Sequence, residues 1–474
     1  MKKRISLTLG LAAIITSSAL AQENIAPHVE ELPQRINFNA ALQPDNNVFF
    51  AVTPAINLGV ENTGFCFDDL FVSGDDDSLR LDLNRLASKM KKTNFTSADL
   101  DLQILAFGIR LRQSQSYLSF FVGNKTMIES KFDRNITDIW KGNWDFDNNQ
   151  PIQHHISNMF VRGVNYMEFA AGYSQKFPSL RMTFGLRAKF LAGVFAVLSD
   201  DLAIDFDTYR ESDRYAIHMN TSGSIKTSLP VSVKLDEDGY VDELSMDDLS
   251  FSDANPAKNK GIAFDLGGTW QVFDQLKVGL SLVDVGFIKW NDGCNRFDAS
   301  TSFTYHGVDI SEDMKTSATN EDYAKEDDAD SYWSSIKDSL LRIRQVSHSN
   351  TGFKTRLSSR LIATADYQPF KWLTAGATVA TKFVDGQAFT RGSITALLKA
   401  PKVVTFAATF AVNPGFRPSP GLGLVLSGGP FQMYVIADRI MSNIRTSTGT
   451  SLSAGINFNL GRKKYALVRD ANGY

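Results

Sequence analysis

Two cysteines in 474 residues, Cys66 and Cys294, allow one disulfide at most, and neither lies in a CxxC pair or a recognisable nucleophile motif. Whether they pair is left open by their positions in separate segments. Long apolar runs are nearly as scarce. After the stretch 5–15 the strongest is 190–198, far short of the roughly 20 residues a membrane-spanning helix needs. Positive charge is not in excess: the net charge is −3, and three units more negative without Lys2, Lys3 and Arg4. Neither value suggests nucleic-acid binding, which usually shows a strongly basic face, and no nucleic-acid partner is expected. No GxSxG, HExxH or phosphate-loop pattern occurs. The Gly-rich 421–429 stretch lacks the lysine and strand-to-helix context of a phosphate cradle. His154 and His155 are adjacent, so in a strand they point to opposite faces, with no companion ligand at a metal spacing. No catalytic residue, cofactor or metal is expected, and an enzyme is not.

What is present is period-two alternation. In 451–460 Leu452, Ala454, Ile456, Phe458 and Leu460 share one parity, and Ser451, Ser453, Gly455, Asn457 and Asn459 the other. Successive strand side chains point to opposite faces, so this segment has one apolar and one polar face. The pattern recurs with Leu105, Phe107, Ile109 and Leu111 opposing Arg110 and Arg112. It returns with Met182, Phe184, Leu186, Ala188 and Phe190 opposing Arg187 and Lys189, and again in 262–272 and 276–282. Phe273-Asp274-Gln275 reads as the turn between the last two of these segments, and Asp385-Gly386 and Gly428-Gly429-Pro430 are further tight-turn candidates.

The start of the chain reads as an export signal. Lys2, Lys3 and Arg4 precede the apolar stretch, and Ala19-Leu20-Ala21 gives a small-x-small site, so cleavage is expected after Ala21 with 1–21 as signal peptide. An exported, Phe-rich chain (34 Phe) with a mean hydropathy of only −0.16 suits a membrane barrel, whose apolar atoms alternate along strands instead of gathering in runs. The expected fold is all-β: a transmembrane antiparallel β-barrel of about 14 strands, with 12 or 16 as alternatives and short helices in loops or plug. Within it, 22–46 is expected as an N-terminal plug or periplasmic lead-in, 47–462 as the barrel and 463–474 as a tail. The last strand should pair with the first. A helix is read over 77–92, where Leu79, Leu83, Leu86 and Met90 recur at spacings of three and four.

The excursion 311–349 has an acidic first half and a helical stripe of Trp333, Ile336, Leu340 and Ile343, a candidate gating helix. Arg110, Arg112, Glu168, Arg187, Lys189, Asp265, Arg356, Arg360 and Asp366 are the candidate lumen-facing charges. Turning an Arg or Lys toward lipid costs about 2–4 kcal/mol at the bilayer midplane, which favours the inward parity. Two roles fit such charges: pairing that braces the wall and holds a plug, or an electrostatic filter for a polar or anionic solute.

Three stretches carry a resemblance. Gln43-Pro44 through Asn62-Thr63-Gly64-Phe65 with Asp68-Asp69-Leu70-Phe71, Asn165-Tyr166-Met167-Glu168-Phe169 with Gly172-Tyr173, and Gly261 to Trp290, in that order, are similar to a family of outer-membrane barrels found across Bacteroidota and of unknown function. That family is distantly similar to fatty-acid transporter-type barrels and to barrels of the type IX secretion system. The resemblance implies the cell outer membrane, outer-membrane lipid as surroundings, and either solute transport or a place in an envelope transport or secretion assembly. The solute or envelope protein partner is not implied. The competing reading is a secreted or surface β-sandwich binding or adhesion protein, which would bury the same apolar parity in a soluble core.

Overall fold

The computed structural model describes residues 24–461 except 52–54, 63–65, 74–78, 112–113, 142–143, 146–147, 212–213, 230–231, 236–240, 246–257, 300, 306–345, 401–402, 413–418 and 441–448. The segments expected as signal peptide and tail, Arg112, and the candidate gating helix with Trp333, Ile336, Leu340 and Ile343 lie outside the described residues.

One antiparallel sheet of twenty strand segments closes on itself. Val48–Ala51 and Ala55–Asn62 pair on one side with Thr93–Leu111 and on the other with the last strand, Gly449–Leu460. From Thr93–Leu111 the ladder runs through Ser116–Asp133, His154–Phe177 and Met182–Glu211. Met182–Glu211 pairs above with Arg214–Ser228 and below with Lys260–Phe273. Leu276–Trp290 and Arg360–Phe370 follow, then Leu373–Val384, Gln387–Ala400, Val404–Val412, Ser419–Gly428 and Phe431–Arg439, which meets the last strand. Several segments are pieces of one interrupted stave, and joining them gives a closed barrel of 16 strands, the upper alternative and not the expected count. The excess lies in Arg214–Ser228 and the strand pieces within 294–305, which join the wall only at its upper level. A β-sandwich requires two open sheets, so closure removes that alternative.

The outer face is apolar. Phe184, Leu186, Phe190, Ile262, Phe264, Leu266, Ile394, Phe406 and Leu422 are all exposed. Polar neighbours of the opposite parity, among them Arg187, Lys189, Asp265, Thr395 and Asn457, are buried inside. No described helix is long and apolar enough to cross a membrane. Asp274-Gln275 and Gly429-Pro430 are tight turns at one end of the barrel, and Asp385-Gly386 closes a hairpin at the other. Asp385 and Gly386 both have positive φ, 45° and 73°, as a two-residue hairpin turn demands.

Wall height is uneven. His154–Phe177 and Met182–Glu211 have 24 and 30 residues, whereas Val404–Val412 and Phe431–Arg439 have 9 each. About 9–11 tilted residues cross a bilayer, so the first flank extends well past the second. Beside the end of Ser116–Asp133 remote from the tight turns, the helix read over 77–92 forms only at Leu83–Lys89, where the Asp82 side chain caps the Arg85 amide at 2.8 Å. Leu79–Leu81 instead pairs with Phe71–Ser73, and Leu86 and Met90 pack on Phe71, Phe132 and Ile136. Cys66 and Cys294 are not joined in a disulfide, and the Cys66 thiol donates to Asp69 Oδ2 at 3.0 Å.

Candidate functional site: a plugged and braced lumen

Residues 24–46 lie inside the barrel at the tight-turn end. Their short 3-10 turns, Ala26–His28 and Pro33–Asn37, each carry a proline in the first two positions, Pro27 and Pro33, where its fixed φ and missing amide are tolerated. Ile25, Val29, Leu32 and Phe38 pack against wall residues Val283, Ile362, Leu397, Tyr434 and Ile436. The wall makes room with glycine: a Cβ at Gly185 would lie 2.2 Å from the Ala40 carbonyl oxygen, and one at Gly267 would lie 2.0 Å from Asn39 Oδ1.

Polar contacts fix the plug's position. Gln34 and Asn457 exchange amide hydrogen bonds at 2.8 and 3.0 Å, and Asn457 and Asn459 both donate to Gln432 Oε1 at 3.0 Å. Gln432 in turn donates to the Glu31 carbonyl, and Asn46 bonds Asn459 and Tyr117. The polar parity of the last strand is thus the plug's seat. Arg110 wraps the plug's exit, donating to Gln43 Oε1 at 2.7 Å and to the Pro44 carbonyl. His28 pairs with Asp366 and lies 2.8 Å from Thr378 Oγ1 through Nε2. Glu30 reaches Lys277 and Lys399, each at 3.4 Å. Burial pushes the Glu30 carboxyl up, but Lys277, Lys399 and Arg35 outweigh it and hold the group well below the ordinary glutamate range. At the plug's other end, the Asn24 amide donates to Asp438 at 3.0 Å and its carbonyl accepts from Thr395.

Above the plug lies a ring of ion pairs. Arg187 meets Asp265 at 3.2 Å, and Lys189 meets Asp265 at 2.8 Å and Asp284 at 2.5 Å. Lys125 meets Glu168 at 2.9 Å and Asp101 at 4.0 Å, and Arg360 meets Asp284 at 2.7 Å. Four cations therefore face four carboxylates. The backbone bends to build this set. Asp284 takes a left-handed φ of 60° at a register shift, and its amide donates to Asp265 Oδ1 at 2.8 Å.

A second group joins walls that are not neighbours in the sheet. Lys382 reaches Glu129 at 2.7 Å and Asp99 at 3.6 Å. Glu129 also binds Arg162, and Ser358 donates to it at 2.8 Å. Lys131 pairs with Asp385, and the rings of Phe95 and Phe389 stack at 4.4 Å between centroids. Here too the cations Arg162, Lys382 and Lys131 match the carboxylates Glu129, Asp99 and Asp385. The lumen is thus crossed at this level by a brace.

Of the candidate lumen charges, Glu168, Arg187, Lys189, Asp265 and Arg360 come together in the ring, while Arg110 and Asp366 hold the plug. Arg356 requires a correction: it is exposed on the outer parity of Phe353–Arg356. The segment 357–359, outside any strand, shifts the alternation, so Phe353 and Thr355 point inward before it and Ile362 and Thr364 after it. Sequence reading missed the brace, His28 and the amide ladder. Lys382 does stand on the polar parity with Thr374 and Thr378, but its partner lies on a remote strand. Among the described residues, no group of three or more His, Cys, Asp and Glu is arranged to hold a metal.

Residues 41–438 match the pattern of a family of unknown function, DUF5723. No curated protein matches the chain. Among solved structures it is similar to the toluene transporter TbuX of Ralstonia pickettii, with a TM-score of 0.42, 10% identity and coverage of 93% of this chain and 98% of that one. A FadL homologue of Pseudomonas aeruginosa gives a TM-score of 0.40, 9% identity and coverage of 94% and 99%. The toluene transporter TodX of Pseudomonas putida gives 0.39, 9%, 93% and 97%.

Proposed function

We propose that this chain, which belongs to the DUF5723 family and inherits no activity from it, is a non-enzymatic barrel of the cell outer membrane that passes a solute when its plug and brace release. The carrying observation is how the plug is held. Residues 24–46 form no strand with the wall, and they are seated by side-chain hydrogen bonds, the His28–Asp366 pair, two long ion pairs of Glu30 and a removable apolar face. Contacts of this kind can be exchanged for water, whereas a ladder strand could not leave without opening the wall. The lipid of the outer membrane covers the apolar outer parity, and the tight-turn end faces the periplasm.

The matched charges bear on the role of the lumen. A filter for anions needs unpaired positive charge along the path, but the ring and the brace each neutralise themselves, which supports the bracing role. The same brace favours a second reading, a rigid component of an envelope transport or secretion assembly with a protein partner. Single-channel recording on the full-length protein separates the two. Asp366→Ala with Glu30→Ala loosens the plug, and gated transport requires a rise in conductance over wild type. Intact, heat-modifiable barrels that stay silent after plug and brace are both weakened would leave the assembly role. Fractionation with outer membranes tests the location independently.

A further inference from the structure

We propose that the lumen wall at the seam between the first and last strands is a solute-reading site for neutral, hydroxyl-rich molecules of the oligosaccharide type. The proposal rests on the gated-passage reading and adds a substrate class to it.

The site consists of Gln103, Tyr434 and Ser453, with Asn57 beside them, and it spans four consecutive staves. Gln103 stands opposite Ala55, Asn57 opposite Ser453, and Tyr434 opposite Gly455. The patch is continuous, since a Cβ built on Gly455 would lie 2.7 Å from Ala55 Cβ and 2.8 Å from the Tyr434 hydroxyl. Gln103, Tyr434 and Ser453 are at most 5% exposed. Both polar atoms of the Gln103 amide, the Tyr434 hydroxyl and the Ser453 hydroxyl are enclosed without a hydrogen-bond partner among the described residues.

Enclosed polar groups are nearly always paired, because leaving one unpaired forfeits its hydration without return. Four such atoms on one patch are costly for the closed barrel and need a reason. Their cover supplies it. Tyr434 and Ile436 pack in one cluster with Ile25, Ala26 and Val29 of the plug, so release of the plug uncovers the patch. It then offers an amide, two hydroxyls and an aromatic ring, and no net charge.

The chemistry of the passenger follows from what the seam leaves unpaired. Its four unpartnered atoms belong to an amide and two hydroxyls, so the free capacity at the seam is uncharged donors and acceptors. A polyhydroxylated solute satisfies both kinds and can lay a C–H face on the tyrosine ring. An apolar molecule satisfies none, and a site built to hydrogen-bond its ligand discriminates strongly against an analogue that cannot.

The test uses full-length protein in planar bilayers, with Asp366→Ala and Glu30→Ala to loosen the plug, and maltotriose and octanoate as probes. Maltotriose should reduce the current while octanoate does not. Adding Gln103→Leu and Ser453→Ala should raise the half-blocking maltotriose concentration at least tenfold. Current that ignores maltotriose, or is blocked equally with and without those two substitutions, overturns the site while leaving gated passage intact. Absence of current from correctly folded loosened barrels overturns gated passage, and the site with it. A folding readout stands apart from conductance. Gln103→Leu in the wild-type background replaces an unpaired amide by an apolar group and should raise the thermal midpoint of heat-modifiable migration, and a lower midpoint counts against the unpaired state of Gln103.

Discussion

The cross-lumen brace makes a quantitative demand. Glu129 and Lys382 have side-chain exposures of 0% and 3% and meet at 2.7 Å, from staves on opposite sides of the interior. Removing one member of a buried pair strands the other, at a typical cost of about 3–5 kcal/mol. Lys382→Met falls near the low end, about 3 kcal/mol, because Glu129 keeps Arg162 and Ser358 while Asp99 loses its near cation. Glu129→Gln should cost more, about 4 kcal/mol, since Arg162 and Lys382 are then left facing each other without the carboxylate between them. In the double variant the repulsion is gone, so its cost should fall short of the sum by about 2 kcal/mol, within the range measured for contacting residues. Urea unfolding in lipid vesicles, followed by heat-modifiable migration, gives all three values. Additivity within about 0.5 kcal/mol would falsify the brace, because residues on separate walls that do not touch lose stability independently.

Other perturbations address register and plug. Leu186 faces outward and Arg187 inward, so Leu186→Cys should react with a bilayer-partitioning maleimide, while Arg187→Cys stays slow with any reagent until the plug is loosened. Fast labelling of both in intact barrels would contradict the register. Gly376→Val puts a side chain where the His28 ring lies, 2.6 Å from the nearest ring atom, and should weaken plug seating by about 1–3 kcal/mol, read as faster proteolysis within 24–46. Glu30 contributes a pH dependence of defined sign. Its carboxyl is held down in the folded state, so its contribution is complete above the ordinary glutamate value of about 4.3 and is lost as pH falls through the lower folded value. Acidification below about pH 4 should therefore raise protease access to the plug, modestly because Glu30 is 36% exposed, and the response should shrink in Glu30→Gln.

The wall was readable wherever strands run uninterrupted. Period-two geometry ties Leu186, Arg187 and Lys189 together, and each lies on the face its parity assigns. Parity fails at interruptions, which is why Arg356 faces outward: nothing in Leu357-Ser358-Ser359 marks the shift that separates it from Arg360. The plug has no periodicity, so its composition suggested an irregular segment but not which wall glycines admit it. Ion partners were least legible. Lys382 and Glu129 lie on staves far apart in the chain, and a polar parity says only that a side chain points inward, never which remote stave it will meet.

The direction of the plug limits how it can be opened. Asn24 is buried deep in the lumen between Asp438 and Thr395, while the plug joins the wall at Asn47, whose amide bonds the Leu460 carbonyl at the tight-turn end. A pull from the tight-turn side does not act on Asn24 directly, because Asn24 is held deeper in the lumen by Asp438 and Thr395. Glu30, Glu31 and the 43–47 stretch approach the tight-turn mouth, through Lys277, Lys399, Gln432 and Gln115. Release from the other side begins differently, since a solute that parts the brace meets Asn24, Ile25 and the seam residues before the Glu30 pairs. The apolar contact of Ile25 with Tyr434 and Ile436 is then the first to be replaced. The polar groups of the seam gain partners at the same step, so solute entry and plug release favour each other, and neither requires an external source of work.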